Sequence, residues 1–177
     1  MQWMRTLVLL VWILLLGMAA VGPVGVAAGP LTEADFVFAY AGQAHRLGEP
    51  ALPLIQAIEA AEGAMRVTEA ESCMFAGIDR EFESDTLLIA TYPIGRGGAD
   101  VLETILVIGG EHQTARGVSI GDAVDDVVAA YGNGYTLDHN QMVYALGDPL
   151  TEPVLIFILD LDTGRVASFF MMRNTSA

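Results

Sequence analysis

Four groups of residues have the types and spacing from which chemistry could be built. Asp162-Thr163-Gly164 follows an apolar run and matches the signature of an aspartic protease. That chemistry needs two such aspartates sharing a proton, and only 13 residues follow Gly164, too few for the rest of a protease lobe. The triplet reads instead as a hairpin turn, with Gly164 available for positive φ. Cys73 could act as a nucleophile with His45, His112 or His139 as its base. A reactive thiolate needs electropositive surroundings, whereas Glu69, Glu71 and Asp79 surround this one in sequence. Its neighbours Met74 and Phe75 are apolar, which points to a buried structural thiol that alkylates slowly. The three histidines fall in expected loops and read as surface residues.

Carboxylates cluster at Asp122, Asp125 and Asp126, and again at Asp160 and Asp162. Calcium takes six to eight oxygens, and no EF-hand loop is present. The first group suits a helix N-terminus and the second a turn. Gly95-Arg96-Gly97-Gly98 is glycine-rich with one cation, but a phosphate cradle is followed by a helix, and the next segment, Val101–Ile108, reads as strand. Asn174-Thr175-Ser176 is a glycosylation sequon at the extreme tail. No catalytic, cofactor-binding or metal-ligating residue is assigned, and no cofactor is expected.

Two helices are expected. Ala123–Tyr131 carries Val124, Val127, Val128 and Tyr131 on one face, with Asp122 as its cap and Gly132 as its stop. Pro53–Glu62 carries Leu54, Ile55, Ile58 and Ala61, and Gly63 ends it. Strands are expected at Asp35–Tyr40, Ala64–Val67, Cys73–Ala76, Thr86–Tyr92, Val101–Ile108, Met142–Leu146, Val154–Leu159 and Val166–Met171.

The pattern occurs twice. Leu47-Gly48-Glu49 precedes the first helix as Ile120-Gly121-Asp122 precedes the second, and Cys73–Asp79 resembles Met142–Asp148. The expected fold is α+β: two tandem helix-plus-hairpin units, 35–110 and 111–173, forming an antiparallel sheet with both helices on one face. The phrases Ser72–Asp79, Gly117–Asp122 and Tyr131-Gly132 resemble a group of small exported proteins and lipoproteins of clostridia-type bacteria. Their layout is similar to that of the beta-lactamase inhibitor protein and of small outer-membrane assembly lipoproteins. The resemblance implies protein binding without catalysis. This chain lacks the lipid-attachment cysteine of the lipoprotein members, and its two tryptophans, Trp3 and Trp12, precede the domain.

Residues 1–28 have the form of a signal peptide: Arg5, an apolar run from Leu7 to Leu16, then small residues ending in Val26-Ala27-Ala28. The 22 uncharged residues 7–28 are also long enough for an uncleaved anchor. Either way the domain, residues 29–177, is expected outside the cytoplasm. It has seven arginines, no lysine and 22 acids, a formal charge of −15. Such a surface repels nucleic acid and anionic headgroups. The expected function is a non-catalytic binding module of the cell envelope or extracellular space, whose partner is another protein or an envelope component. The alternatives are an extracytoplasmic hydrolase with Cys73 as nucleophile, or a membrane-anchored scaffold that touches membrane through a retained leader.

Cleavage after Ala28 removes both tryptophans. Protein collected from its host is therefore expected to begin at Gly29 and to show tyrosine-only emission. Tryptophan emission from membrane-bound protein would identify a retained anchor.

Overall fold

The structure, a computed structural model, describes residues 28–94 and 99–173. The leader up to residue 27, the Gly95-Arg96-Gly97-Gly98 loop and the Asn174-Thr175-Ser176 sequon lie outside the described residues. A 3-10 turn, Glu33–Phe36, leads into a hairpin of β1 (Val37–Tyr40) and β2 (Gln43–Arg46). Helix α1 (Leu52–Glu62) follows, then β3 (Arg66–Glu71), β4 (Ile78–Glu83), β5 (Leu87–Pro93) and β6 (Asp100–Val107). Helix α2 (Val124–Tyr131) precedes β7 (Thr136–Asp138), β8 (Gln141–Ala145), β9 (Val154–Leu159) and β10 (Val166–Met172). Strands β3 to β10 form one antiparallel sheet in the order β3-β4-β5-β6-β10-β9-β8-β7. A helix followed by four strands thus occurs twice, and the two last strands, β6 and β10, pair at the centre.

Strand alternation divides the side chains between two faces. On the inner face, Ile89, Ile105, Met171, Leu155 and Tyr144 lie side by side across five strands. Leu87, Val107, Phe169, Phe157 and Met142 form the adjacent row. None of these ten side chains is more than 1% exposed. Two bulges extend this face. Register shifts at Glu103 of β6 and at Ala167 of β10 turn Leu102 and Val166 inward, where both are buried.

Both helices cover that face. Tyr131 at the end of α2 meets the rings of Tyr144 and Phe157, with centroids 5.4 and 5.5 Å away. Leu54, Ile55 and Ile58 of α1 join the same core, and Leu52 and Ile55 border a cavity with Phe82, which pairs with Ile89. Each helix stops at a glycine with positive φ, Gly63 at 98° and Gly132 at 81°, a conformation that carries no Cβ penalty there.

The same backbone device seats each helix on a central strand. Gly48 N–H donates to Leu102 C=O and Leu102 N–H to Glu49 C=O. Gly121 N–H donates to Val166 C=O and Val166 N–H to Asp122 C=O. Both exchanges occur beside a bulge, and both glycines have positive φ.

Arg116 ties the start of the domain to α2. Its Nε–H and one Nη2–H donate to the two carboxylate oxygens of Asp35, at 2.6 and 2.8 Å. The remaining donors reach Gly29, Pro30 and Ala130 carbonyls. All five N–H groups are thereby used, and the guanidinium lies over the Tyr131 ring at 4.9 Å. Burial pushes the Asp35 carboxyl up, but the hydrogen bonds from Arg116 and Thr32 and the charge of Arg116 outweigh this and hold it below its ordinary value.

Several expectations need correction. Cys73–Ala76 is not a strand but an exposed loop between β3 and β4. Ser72 Oγ accepts the Met74 and Phe75 N–H groups there and bends the chain. The match of Cys73–Asp79 to Met142–Asp148 therefore joins a loop to a strand. The Asp35–Tyr40 strand begins only at Val37, because the Asp35 carboxylate accepts the Thr32 N–H and closes a turn. The Ala64–Val67 strand begins at Arg66 and runs on to Glu71. Asp122 does not cap α2: its carboxylate accepts the Ser119 N–H, while Asp126 accepts from Ala123 at the helix start. Strands β2, β4 and β7 are additional. Val154–Leu159 has the expected bounds, and the Asp160–Arg165 hairpin turn is present with Gly164 at φ 65°.

Val127 is fully buried on the inward side of α2, whereas Val128 is partly exposed. Val127→Asp would place an unpaired charge in the core, with an expected cost of about 4 kcal/mol or more. A thermal melt unchanged from that of the wild type would contradict this packing.

Candidate functional site

Two places in the molecule combine polar or apolar side chains in ways that elements of the fold must hold. The first lies at the C-terminal end of α1. Glu62 accepts hydrogen bonds from Tyr40 Oη (2.9 Å) and from Thr86 Oγ1 (2.8 and 2.9 Å to its two oxygens). Thr86 Oγ1 also lies 3.1 Å from His112 Nε2. Its single proton goes to the carboxylate, so it accepts from His112, which fixes the proton on Nε2. This polarity is opposite to that of a hydroxyl activated by a histidine base. The His112 ring packs against Phe38 and Tyr40, with centroids 5.7 and 5.5 Å away.

The titration of these groups follows their surroundings. Burial, then the hydrogen bond to Glu62 and its negative charge, push the Tyr40 hydroxyl up to about 12. Burial lowers His112, and the Glu62 charge only partly offsets it. Burial raises Glu62, but hydrogen bonds from Ser84, Thr86 and Tyr40 hold it below its ordinary value. A cavity of about 380 Å³ opens beside the cluster, lined by Glu62, Gly63, Ala64, Arg66, Glu83, Ser84 and Asp85. Arg66 is hydrogen-bonded to Glu83, so the cavity already contains its own ion pair.

The second place is the outer face of the sheet. Leu88, Leu106, Phe170, Ile156 and Val143 are lateral neighbours across β5, β6, β10, β9 and β8. Ala90, Thr104, Met172, Val154 and Ala145 form the next row. At a strand spacing of about 4.8 Å the first row is about 19 Å wide. Ile156 in this row is itself buried and Leu88, Leu106, Phe170 and Val143 are half-buried, yet all five lie outside the packed core and outside the side chains packed against that core among the described residues. Both helices lie on the opposite face.

The sequence-expected residues are scattered. Cys73 is exposed, not buried, because its loop lies outside the sheet. Among the described residues, no hydrogen bond joins it to a histidine. His45 is buried in β2, not in a surface loop, and burial lowers its pKa. His112 is half-buried in the cluster above. Only His139 is a surface histidine, beside Asp138. Asp122, Asp126 and Asp160 spend their carboxylates on backbone N–H groups, and among the described residues no cluster of three or more His, Cys, Asp or Glu is placed to hold a metal. The outer row was not singled out from sequence, although a signal existed. Val154–Leu159 and Val166–Met172 are apolar at both parities, the pattern of strands covered on both faces.

The polar cluster predicts a stability effect. Glu62→Ala leaves Tyr40 and Thr86 without their acceptor, at an expected cost of about 1–2 kcal/mol. Because the folded-state pKa of Glu62 is lowered, its contribution is fully present above its unfolded value and is lost as pH falls through the folded value. The gap between wild type and variant, measured by chemical denaturation, should therefore be widest near neutrality and narrow at about pH 3. A gap independent of pH would contradict this account of the network.

No family model matches the chain, and no curated protein or solved structure matches it.

Proposed function

We propose that the chain is an exported, non-catalytic binding module of the cell envelope or extracellular space, and that it docks its partner on the outer face of the sheet. The observation that carries this reading is the row Leu88–Leu106–Phe170–Ile156–Val143. The half-buried Leu88, Leu106, Phe170 and Val143 leave apolar surface accessible on this face, and contiguous apolar surface marks interaction sites in soluble proteins. It lies on rigid, fully paired central strands and needs no rearrangement to be presented. The signal-like leader supports export, and the direction of the Thr86 hydrogen bonds favours a structural role for the polar cluster.

We infer also that the chain consists of two related helix-plus-strands units, 35–110 and 111–173. The support is the doubled exchange of hydrogen bonds, Gly48 and Glu49 with Leu102, and Gly121 and Asp122 with Val166. The tandem layout agrees with the resemblance to small exported proteins whose layout is similar to that of the beta-lactamase inhibitor protein.

Cys73 is exposed, so rapid alkylation would not distinguish a nucleophile from a bystander. The informative experiment is affinity capture from host envelope extract, with wild type and Phe170→Asp compared side by side. The expected result is a stoichiometric partner retained by wild type and by Cys73→Ser, and reduced at least about tenfold by Phe170→Asp. Equal capture by Phe170→Asp would contradict docking on this face. Dependence on Cys73 would favour the hydrolase.

A further inference from the structure

The outer face carries charge at one end of its apolar strip. A cavity of about 190 Å³ opens there, and its lining includes Thr68, Asp79, Glu81, Ala90 and Glu103. The apolar strip continues directly from it, since Ala90 pairs with Thr104, which pairs with Met172. Asp79 Oδ1 is shielded from solvent and has no hydrogen-bond partner among the described residues. A buried carboxylate oxygen without a donor is costly. Two described arginines nearby are committed elsewhere. Arg66 pairs with Glu83, and Arg80 with Glu69 and Asp100.

We propose that this face receives a protein surface presenting an arginine or lysine beside apolar side chains, the cation seated against Asp79 and Glu81 and the apolar groups over the half-buried Leu88, Leu106 and Phe170. The inference rests on the docking reading above and adds the partner's chemistry. Charge decides among occupants. A second copy would bring another domain of formal charge −15 and a second set of these carboxylates, and like-charge juxtaposition opposes that association. A basic side chain instead brings charge opposite to that of Asp79 and Glu81, and arginine with aromatic neighbours is a common energetic centre of interfaces.

The test uses protein exported by its host and a phage-displayed library of random peptides of about 12 residues, long enough to span the strip. Binding of the selected peptides is measured against wild type, Phe170→Asp, and the double variant Asp79→Asn with Glu81→Gln. Leu106→Thr replaces Phe170→Asp if the latter fails to fold. The expected peptides combine Arg or Lys with aromatic or aliphatic residues. Their affinity falls at least about tenfold in each variant and weakens as salt rises from about 50 to about 300 mM. Neutral or acidic peptides that lose affinity with Phe170→Asp but not with the double variant would overturn the basic partner and leave the docking face standing. Peptides unaffected by either variant would overturn both. Concentration-dependent dimerisation of wild type, abolished by Phe170→Asp, would assign the face to a second copy and overturn the proposal.

Discussion

The pairing of β6 with β10 is the contact on which the rest of the molecule depends. It joins two four-strand halves into one sheet and sets Ile105 beside Met171 and Val107 beside Phe169. Once that register holds, strand alternation forces Leu106 and Phe170 together on the opposite face. A slip of one residue would exchange the two faces and strand the core side chains in water. The buried rows and the outer apolar strip are therefore two consequences of one register.

One of those faces is closed by the two helices. Both helices, the β1–β2 hairpin and the aromatic group around Tyr131 contribute to a single core. The backbone exchanges at Gly48 and Gly121 hold the helices over it, and Arg116 secures the start of the domain against the end of α2. The apolar content of β9 and β10 exceeds what one covered face requires. Val154 and Ile156 of β9 and Phe170 and Met172 of β10 supply that excess, and covering the half-buried Phe170 and Met172 with a partner would release ordered water at little cost in chain entropy.

How much of this was legible in the sequence follows from which signals are local. The helices were, because Val127 and Tyr131 recur at helical spacing and Gly63 and Gly132 mark their ends. So were β5, β6, β9 and β10, whose apolar runs are long. Strand β4 was not. Four of its six residues, Asp79, Arg80, Glu81 and Glu83, are charged, and it is held by pairing with β3 and β5 and by ion pairs such as Arg80 with Glu69. Cys73 misled because Met74 and Phe75 gave it apolar company in sequence, while the Ser72 turn carries all three away from the core. The polar cluster joins Tyr40, Glu62, Thr86 and His112 from four separate segments, so no spacing rule could reveal it. The outer strip likewise becomes visible only when β5, β6, β8, β9 and β10 are placed in register.

The most direct measurement is site-specific photo-crosslinking in the living host. A benzophenone amino acid at position 106 or 170 samples the outer face, and one at position 125 samples the exposed side of α2. The account predicts one and the same protein adduct from positions 106 and 170 and none from position 125. An adduct from position 125, with positions 106 and 170 silent, would contradict it.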